Sequence, residues 1–333
     1  MGSRRRLPTG KVPVPLLREV LAELPVPPAE LRLGPRIGED ACAIEVSDGI
    51  LVVATDPITL TSADVGRFSV LVNANDVAVM GIRPRWFLAD VLLPTGSTQA
   101  DVRDLFRTMQ RALSGIGATL VGGHTEVTDA VTRPIVVGQM LGSARDGTFV
   151  TTGGARPGEV LVQVGPVPVE GAAVLARLPD ERLAALEPSL TAAARSALDE
   201  PGISIVEPAL LAAELGVTAM HDPTEGGMAA ALHEVADASQ TRIRVDLDAV
   251  VWFEPGRALC RALDADPLAT LASGALLAAF AIERADAALA TLSERGYRVA
   301  AIGAFEPGSG VVDMQGREIP WPERDEVARF VSA

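Results

Sequence analysis

Lysine is almost absent from this chain of 333 residues, in which Lys11 is the only one and every other permanently positive side chain is arginine. The chain contains no G-x-x-x-x-G-K motif, which excludes a P-loop nucleotide site. A lysine that forms a Schiff base with substrate is nearly ruled out as well. If the protein handles phosphate, glycine-rich loops, arginines and a metal ion must do so.

Cysteines and long apolar runs are also scarce. Cys42 and Cys260 are the only two cysteines, and each lies in an apolar stretch, which is typical of buried thiols in a reduced protein. No apolar run reaches the ~18 residues of a membrane helix, and the first residues lack the core of a signal peptide. We therefore expect a cytoplasmic protein without membrane contact, and we interpret Arg4–Arg6 as a solvated end.

Acidic residues are in excess, with 43 Asp and Glu against 29 Lys and Arg and a formal net charge of −14. This excess argues against a nucleic-acid partner. It is compatible with a nucleotide, because magnesium can neutralise carboxylates and phosphates together. The length predicts two domains of roughly 150 residues each, and 48% apolar residues are enough to form their cores.

The N-terminal half reads as alternating strands and helices. Apolar runs at 41–46 and 50–55, joined by a Ser-Asp-Gly turn, predict a β-hairpin. Thr61 with Asp64 and Thr98 with Asp101 resemble capping boxes that open two amphipathic helices. Further elements are predicted as a helix at 14–24, strands at 86–93, 119–121 and 135–141, and a loop at His124 between the last two strands.

The C-terminal half repeats this alternation after a Gly-, Thr- and Arg-rich crossing at 145–158. We predict an N-terminal extension over 1–30, an N-terminal domain over 31–145 and a C-terminal domain over 155–333. The predicted elements are strands at 160–164, 217–220 and 299–305 and helices around 170–178, 181–198, 205–215, 227–238 and 285–295. The fold class is therefore α/β or α+β, with helices layered over sheets.

Acidic residues stand at the ends of several of these elements. Asp40 precedes the first strand of the predicted hairpin and Asp56 follows the second, so antiparallel pairing brings them to one edge. Two close carboxylates repel unless a cation lies between them, which predicts a magnesium site. Capping of strand ends is the alternative for each aspartate taken alone.

Asn75 and Asp76 lie in a helix that is apolar nearly all round. Because burial of an uncompensated carboxylate costs several kcal/mol, Asp76 requires a cation, a wet cleft or a partner charge. A buried salt bridge to an arginine such as Arg83 is the alternative to a metal ion.

Two glycine-rich segments are candidates for contact with phosphate. Gly122 and Gly123 let the backbone approach a ligand closely, with His124 and Thr125 beside them, although a tight turn without a ligand explains the glycines equally well. Residues 222–227 combine an Asp that we interpret as a helix N-cap with two early glycines. Such glycines weaken a helix by ~1 kcal/mol each, so we expect anion binding there or close packing of the helix on the sheet. We interpret His221 and His233 as ordinary core or capping residues.

The order and spacing of these motifs resemble the aminoimidazole ribonucleotide (AIR) synthetase, or PurM-like, superfamily, and most of all its hydrogenase-maturation branch. Selenophosphate synthetase and thiamine-monophosphate kinase belong to the same superfamily. The resemblance spans about residues 30 to 330. It is carried by Gly38–Ala41, Thr55–Asp56, Asn75–Gly81, Val121–Thr125, Gly165–Pro166 with Glu170–Gly171, Asp222–Gly227 and Ser273–Leu277.

The resemblance implies a two-domain α/β homodimer whose N-terminal sheets close into a shared barrel, with ATP and magnesium in a cleft between domains. Most members phosphorylate an oxygen with ATP, and several then expel the phosphate during dehydration or cyclisation. By position, Asp40, Asp56 and Asp76 match the metal-binding carboxylates. The nucleotide site is matched by Gly38, Asn75, Gly122, Gly123, His124, Thr125, Asp222, Thr224, Gly226 and Gly227.

Three departures leave the substrate open. The maturation dehydratase tends to have Gly-Gly-Asp-Thr-Lys where this chain has Gly-Gly-His-Thr-Glu at 122–126. The Gly-Gly-His pattern is more like the corresponding motif of selenophosphate synthetase. However, the N-terminal cysteine-and-lysine element of that enzyme has no counterpart in this chain. The sequence also ends without the cysteine that carries the carbamoyl group in the dehydratase, so we expect no carbamoyl transfer. We expect an ATP-dependent enzyme; a dimeric nucleotide-binding scaffold without turnover is the alternative.

Overall fold

The computed structural model describes residues 11–59 and 64–331. Two six-stranded sheets, the first within residues 31–144 and the second within 160–313, are each packed against helices. The molecule is therefore a mixed α/β protein of two domains, as the sequence predicts. In the described part of the chain, none of the helices combines the length and the apolar character needed to cross a membrane.

The N-terminal sheet has the strand order β1-β2-β3-β6-β4-β5. Neighbouring strands are antiparallel except β4 and β5, which run parallel and are joined through a helix. The predicted hairpin is present, with Val46 paired to Gly49 at its turn. The elements are β1 (Leu31–Leu33), β2 (Cys42–Val46), β3 (Gly49–Ile58), β4 (Trp86–Pro94), β5 (Thr119–Thr128) and β6 (Ile135–Ala144), with α1 (Val14–Ala22), α2 (Val65–Ala78) and α3 (Gln99–Ile116).

Helix α2 is buried along its whole length because it contacts β3 and β6 on one side and α3 on the other. Asn73 fixes it to β3: its Oδ1 accepts a hydrogen bond from the Asp56 backbone N–H at 2.8 Å, and its Nδ2 donates to the Asp56 carbonyl at 3.1 Å. The capping box of Thr98 and Asp101 opens α3 as predicted. The one predicted at Thr61 lies outside the described residues.

The C-terminal sheet has the order β12-β9-β11-β7-β10-β8, in which only β12 and β9 are parallel. Its strands are β7 (Val160–Val164), β8 (Ala219–His221), β9 (Arg242–Val245), β10 (Leu276–Phe280), β11 (Val299–Glu306) and β12 (Gly310–Asp313). Its helices are α4 (Glu170–Leu175), α5 (Glu181–Ala184), α6 (Pro188–Ser196), α7 (Val206–Glu214), α8 (Gly227–Ser239), α9 (Glu254–Leu263), α10 (Ile282–Glu294) and α11 (Ala328–Val331).

Several predictions of local structure are wrong. Asp56, which was predicted to follow the second strand of the hairpin, lies within β3 and pairs with Gly138 of β6. The single helix predicted over 181–198 is divided into α5 and α6, and Pro188 at the start of α6 explains the break because proline favours the first turn of a helix. The loop predicted at His124 is the middle of β5. The strand continues through the glycines because Gly123, at φ +138°, lies against β4, where a Cβ atom would stand 2.1 Å from the Ala89 carbonyl oxygen.

The two domains are joined by polar contacts from α2. Asn75, fully buried, donates from Nδ2 to the Ile203 carbonyl at 2.8 Å and accepts from the Ile205 N–H at 3.0 Å. Arg67 donates to the Leu198 carbonyl at 2.8 Å. Since α2 also contacts α7, the segment from 198 to 214 is held against the helix that carries Asp76.

Candidate functional site

A cavity of about 460 Å³ lies between the two domains. The N-terminal domain contributes the segment before β2, the end of β3 and helix α2. The C-terminal domain contributes the end of β8, helix α8 and a segment near the end of the chain. Lining residues that bear on its chemistry are Lys11, Gly38, Asp40, Asp56, Asp76, His221, Thr224, Glu225, Gly226, Glu234 and Asp325.

The three aspartates predicted to bind metal, Asp40, Asp56 and Asp76, line this one cavity. Burial raises the pKa of Asp56 to about 6, with Asp40 adding to the shift and Lys11 opposing it. Burial also raises the pKa of Asp76 well above its usual value, and the charges of Asp56, Asp222 and Asp40 raise it further. Ionisation of Asp56 and Asp76 together is therefore unfavourable unless a cation lies beside them.

The proposed salt bridge between Asp76 and Arg83 is not formed. Arg83 instead pairs with Glu207 of α7, with an Nη1 to Oε1 distance of 2.8 Å on the exposed surface. The alternative interpretation of Asp76 is therefore wrong for this arginine.

His221 lines the cavity and is buried, as expected of a core residue, but both of its ring nitrogens face carboxylates. Its Nδ1 is 2.7 Å from Asp40 Oδ2 and its Nε2 is 2.9 Å from Glu234 Oε2, while its side chain is only 3% exposed. Burial lowers the pKa of His221, but Asp40 and Glu234 outweigh it and raise the pKa well above 6.5. Although burial opposes it, the charges of Lys11 and His221 lower the pKa of Glu234 to about 2.

Asp222 follows His221 and is almost completely buried, with 1% of its surface exposed. Neither of its carboxylate oxygens accepts a hydrogen bond from any residue that the structure describes. Burial, together with the charge of Asp40, raises the pKa of Asp222 to about 8. Asp222 is not the predicted N-cap, since α8 begins at Gly227 with Gly226 as its N-cap.

The glycine pair at the start of α8 has two functions. Gly226 (φ +89°) and Gly227 (φ +65°) adopt left-handed conformations that favour glycine. A Cβ atom on Gly227 would stand 2.5 Å from the Leu268 carbonyl oxygen, so the close-packing interpretation holds for this residue. The Gly226 N–H donates to Asp325 Oδ2 at 2.6 Å. The anion at this helix N-terminus is therefore the Asp325 carboxylate of the chain itself.

Lys11 reaches the cavity, although no sequence pattern around it predicts this position. Its Nζ donates to Thr224 Oγ1 at 3.4 Å and lies 3.8 Å from Glu234 Oε1. Burial lowers the pKa of Lys11, but Glu234 and other carboxylates raise it overall. An ion pair of Arg18 with Asp237 at 3.0 Å holds α1 on α8 and so positions this segment.

Of the remaining predicted site residues, some line the cavity and others do not. Asn75 uses both ends of its amide to join the domains. The segment Gly122–Thr125 lies on β5, the exposed edge strand, where His124 Nε2 is 3.3 Å from Glu126 Oε2. Gly38 does line the cavity. Glycine is favoured there because φ is +82° and an added Cβ atom would stand 2.9 Å from the Glu234 carbonyl oxygen.

Family models match both domains: the AIR synthase related protein N-terminal domain over residues 38–144 and the C-terminal domain over 156–314. The chain belongs to the AIR synthase related family. It is 30% identical over 276 residues to carbamoyl dehydratase HypE of Rhodobacter capsulatus, covering 78% of this chain and 74% of the relative. It is 28% identical over 308 residues to HypE of Rhizobium leguminosarum bv. viciae, covering 86% of each.

Solved structures show the same fold. The hydrogenase maturation protein HypE in complex with ATP aligns with a TM-score of 0.70 at 24% identity and covers 96% of this chain and 98% of that one. AaThiL complexed with AMPPCP and TMP aligns with a TM-score of 0.71 at 19% identity. The alignment covers 94% of this chain and 95% of that one. Both support a PurM-like arrangement of the two domains.

Proposed function

We propose that this protein is an ATP- and magnesium-dependent enzyme that phosphorylates an amide, carbonyl or phosphate-type oxygen of a small molecule. The observation that carries this proposal is the convergence of Asp40, Asp56 and Asp76 on one cavity between the domains. The family membership and the complexes of HypE with ATP and of AaThiL with AMPPCP support the same function.

The donor set fits magnesium, which prefers carboxylate oxygens and retains several waters. Asp40, Asp56 and Asp76 would hold it, and the bound ion would supply charge neutralisation for the phosphates of ATP. Because the raised pKa values of Asp56 and Asp76 reflect burial and mutual repulsion, a dication would favour their ionised forms. A bound dication would therefore stabilise carboxylates in this buried wall.

The residues around the aspartates would position the nucleotide. Lys11 brings a positive charge into the cavity beside Thr224, where it would bind phosphate oxygens. Gly226 would donate its N–H to a phosphate once the Asp325 carboxylate is displaced from it. Phosphorylation turns an amide or carbonyl oxygen into a good leaving group, and the protein supplies orientation and charge stabilisation for that step.

The exposed strand β5 supports a homodimer in which the N-terminal sheets pair. Val121 and Val127 are 53% and 55% exposed on this edge strand, and an unpaired apolar edge is a template for pairing with another chain. Gly122, Gly123, His124 and Thr125 would then lie at the interface. Their proposed contact with nucleotide would require the second subunit, because these four residues are not among those that line the cavity in the described part of the chain.

Calorimetry with ATP, in magnesium and after chelation, tests the proposed function. We expect binding that requires magnesium, followed by ADP release with one acceptor class in a metabolite screen. Absence of binding at millimolar nucleotide contradicts both the enzyme and the scaffold. Magnesium-dependent binding without ADP release for any acceptor favours the alternative, a dimeric nucleotide-binding scaffold or maturation partner.

A further inference from the structure

We propose that Arg36 and Arg324 form a binding site for a small organic anion, a carboxylate or a phosphate ester, which in the proposed reaction is the acceptor. Both arginines line the cavity between the domains, Arg36 shortly before β2 and Arg324 near the end of the chain. This inference rests on the proposed function for the role of the anion. It adds the class of the acceptor, which carries a negative charge of its own.

The charges that line the cavity are divided according to their place in the chain. The carboxylates proposed to hold magnesium lie within residues 38–144, which match the family model of the N-terminal domain. In the described part of the chain, the permanent cations that line the cavity are Lys11, Arg36 and Arg324, and all three lie outside both matched segments. Positive charge therefore enters the cavity from the terminal segments of this chain, where it can determine which substrate binds to a shared fold.

The two arginines lie at the mouth of the cavity, whereas the aspartates lie deeper. Asp76 is 5% exposed and Asp56 is half-buried, but Arg36 and Arg324 are exposed. The phosphates of a magnesium nucleotide lie beside the metal ion, so the aspartates would hold them in the interior. The arginines at the mouth then remain for the other substrate.

Both guanidinium groups are available to an external anion. Neither Arg36 nor Arg324 forms an ion pair with an acidic residue that the structure describes, although Arg32 nearby in sequence pairs with Glu45 at 2.8 Å. A guanidinium presents N–H donors in a planar fork that matches the two oxygens of a carboxylate or a phosphate. An arginine on each side of the cavity mouth therefore provides donors for one anionic group.

The segment that carries Arg324 is fixed on both sides of this residue. Trp321 stacks on His233 of α8, with ring centroids 5.0 Å apart. The Glu326 N–H donates to the Ala269 carbonyl at 3.1 Å. A backbone that is already ordered lowers the entropic cost of binding a ligand.

Arg36 is held by a turn that is tied to the segment between the domains. The Glu39 N–H donates to the Arg36 carbonyl at 3.4 Å, and Glu39 Oε2 accepts from the Thr152 N–H at 3.2 Å. Across the cavity, Trp321 is half-buried and lines the wall three positions before Arg324. Its indole gives the mouth an apolar surface, which favours an organic anion over an inorganic one.

Calorimetry with phenyl phosphate and benzoate tests the site, with phenol as the neutral control. The protein is first saturated with magnesium and AMPPCP, so that the nucleotide site is occupied. We expect at least one of the two anions to bind and phenol not to bind. Arg36→Gln and Arg324→Gln should each weaken anion binding about 10-fold or more and change the affinity for AMPPCP less than about 2-fold. Arg111→Gln is the matched control, because Arg111 is exposed on α3 and does not line the cavity.

Failure of both anions to bind the wild-type protein, or unchanged binding in both Gln variants, would overturn the proposal. An equal loss of affinity for AMPPCP in these variants would also overturn it, because the arginines would then bind the nucleotide. If a Gln variant does not fold, the Lys variant takes its place and should bind the anion more weakly than the wild type, since an ammonium group lacks the planar fork.

The same titrations separate this proposal from the proposed function. If AMPPCP does not bind, the proposed function is contradicted, and titration of the nucleotide-free protein with the two anions decides the arginine site. Binding of AMPPCP without binding of either anion contradicts only the arginine site. Binding of phenyl phosphate alone identifies an acceptor that carries a phosphate, and binding of benzoate alone identifies a carboxylate.

Discussion

His221 and Asp40 are 181 residues apart in sequence, yet His221 Nδ1 lies 2.7 Å from Asp40 Oδ2. Asp40 precedes β2 of the N-terminal sheet, whereas His221 ends β8 of the C-terminal sheet. This contact therefore joins the two domains at the wall of the cavity. Each domain alone holds only part of the acidic cluster, so the candidate site exists only when both are folded and packed together.

Replacement of Asp76 by Asn should weaken binding of ATP in magnesium about 10- to 100-fold while the fold is retained. The substitution keeps the shape of the side chain and removes a charge that burial and its neighbours disfavour. Calorimetry measures the affinity and circular dichroism the fold, with exposed Asp286→Asn of α10 as the matched control. Loss of the fold in Asp76→Asn would indicate a structural role instead.

The metal-free protein should be less stable at about pH 8 than at about pH 5. The pKa of Asp222 is raised from 3.8 to about 8, so between these values the folded state binds a proton that the unfolded state lacks. Stability then falls as pH rises, by at most ~4 kcal/mol over three pH units. The raised pKa of His221 acts in the same direction.

Denaturation with urea in the presence of EDTA measures this dependence on pH. Asp222→Asn, which cannot ionise, should be more stable than the wild type at about pH 8 and should show a flatter profile. A profile as steep in Asp222→Asn as in the wild type would assign the pH dependence to other groups.

Asn75→Ala should destabilise the fold by about 2–4 kcal/mol, because the Ile203 carbonyl and the Ile205 N–H would both lose a buried partner. Urea denaturation measures this loss. Gln110→Ala, which removes only an exposed contact with Ser114, should change stability by less than about 0.5 kcal/mol. A stable Asn75→Ala protein that no longer binds ATP would instead support the nucleotide contact expected from the family resemblance.

The wild-type protein should be a dimer, and the double variant Val121→Lys, Val127→Lys should be monomeric, because charged side chains on an edge strand prevent strand pairing. Light scattering distinguishes a particle of 34.7 kDa from one of twice that mass. Ile282→Lys is the control, since Ile282 is 70% exposed on α10 and away from β5. A wild-type particle of 34.7 kDa at micromolar concentration refutes the dimer.

Neither cysteine should accept a carbamoyl group. Burial raises the pKa of Cys260 to about 11 and also raises the pKa of Cys42, so little thiolate is present near neutral pH. Intact mass after incubation with ATP, magnesium and a carbamoyl donor system checks this. A carbamoyl adduct that disappears in Cys42→Ser or Cys260→Ser would contradict the prediction.

Local sequence patterns predicted much of the fold and part of the site. The hairpin of β2 and β3 and the capped helix α3 depend on contacts within short segments, which turn and capping residues specify directly. Asp40 and Asp56 were placed together for the same reason, since a hairpin brings its two ends to one edge. The family resemblance then supplied the fold of the whole chain.

Long-range packing decided the rest. A histidine in an apolar stretch has the same local pattern whether it is a core residue or a ligand, and only the packing of β8 against the N-terminal domain places His221 on Asp40. The same holds for Lys11, which contacts Thr224 across 213 positions. The sequence determined the elements because hydrogen bonds and side-chain periodicity are local. The tertiary structure determined the site because its charges come from distant segments, and their pKa values depend on shared burial.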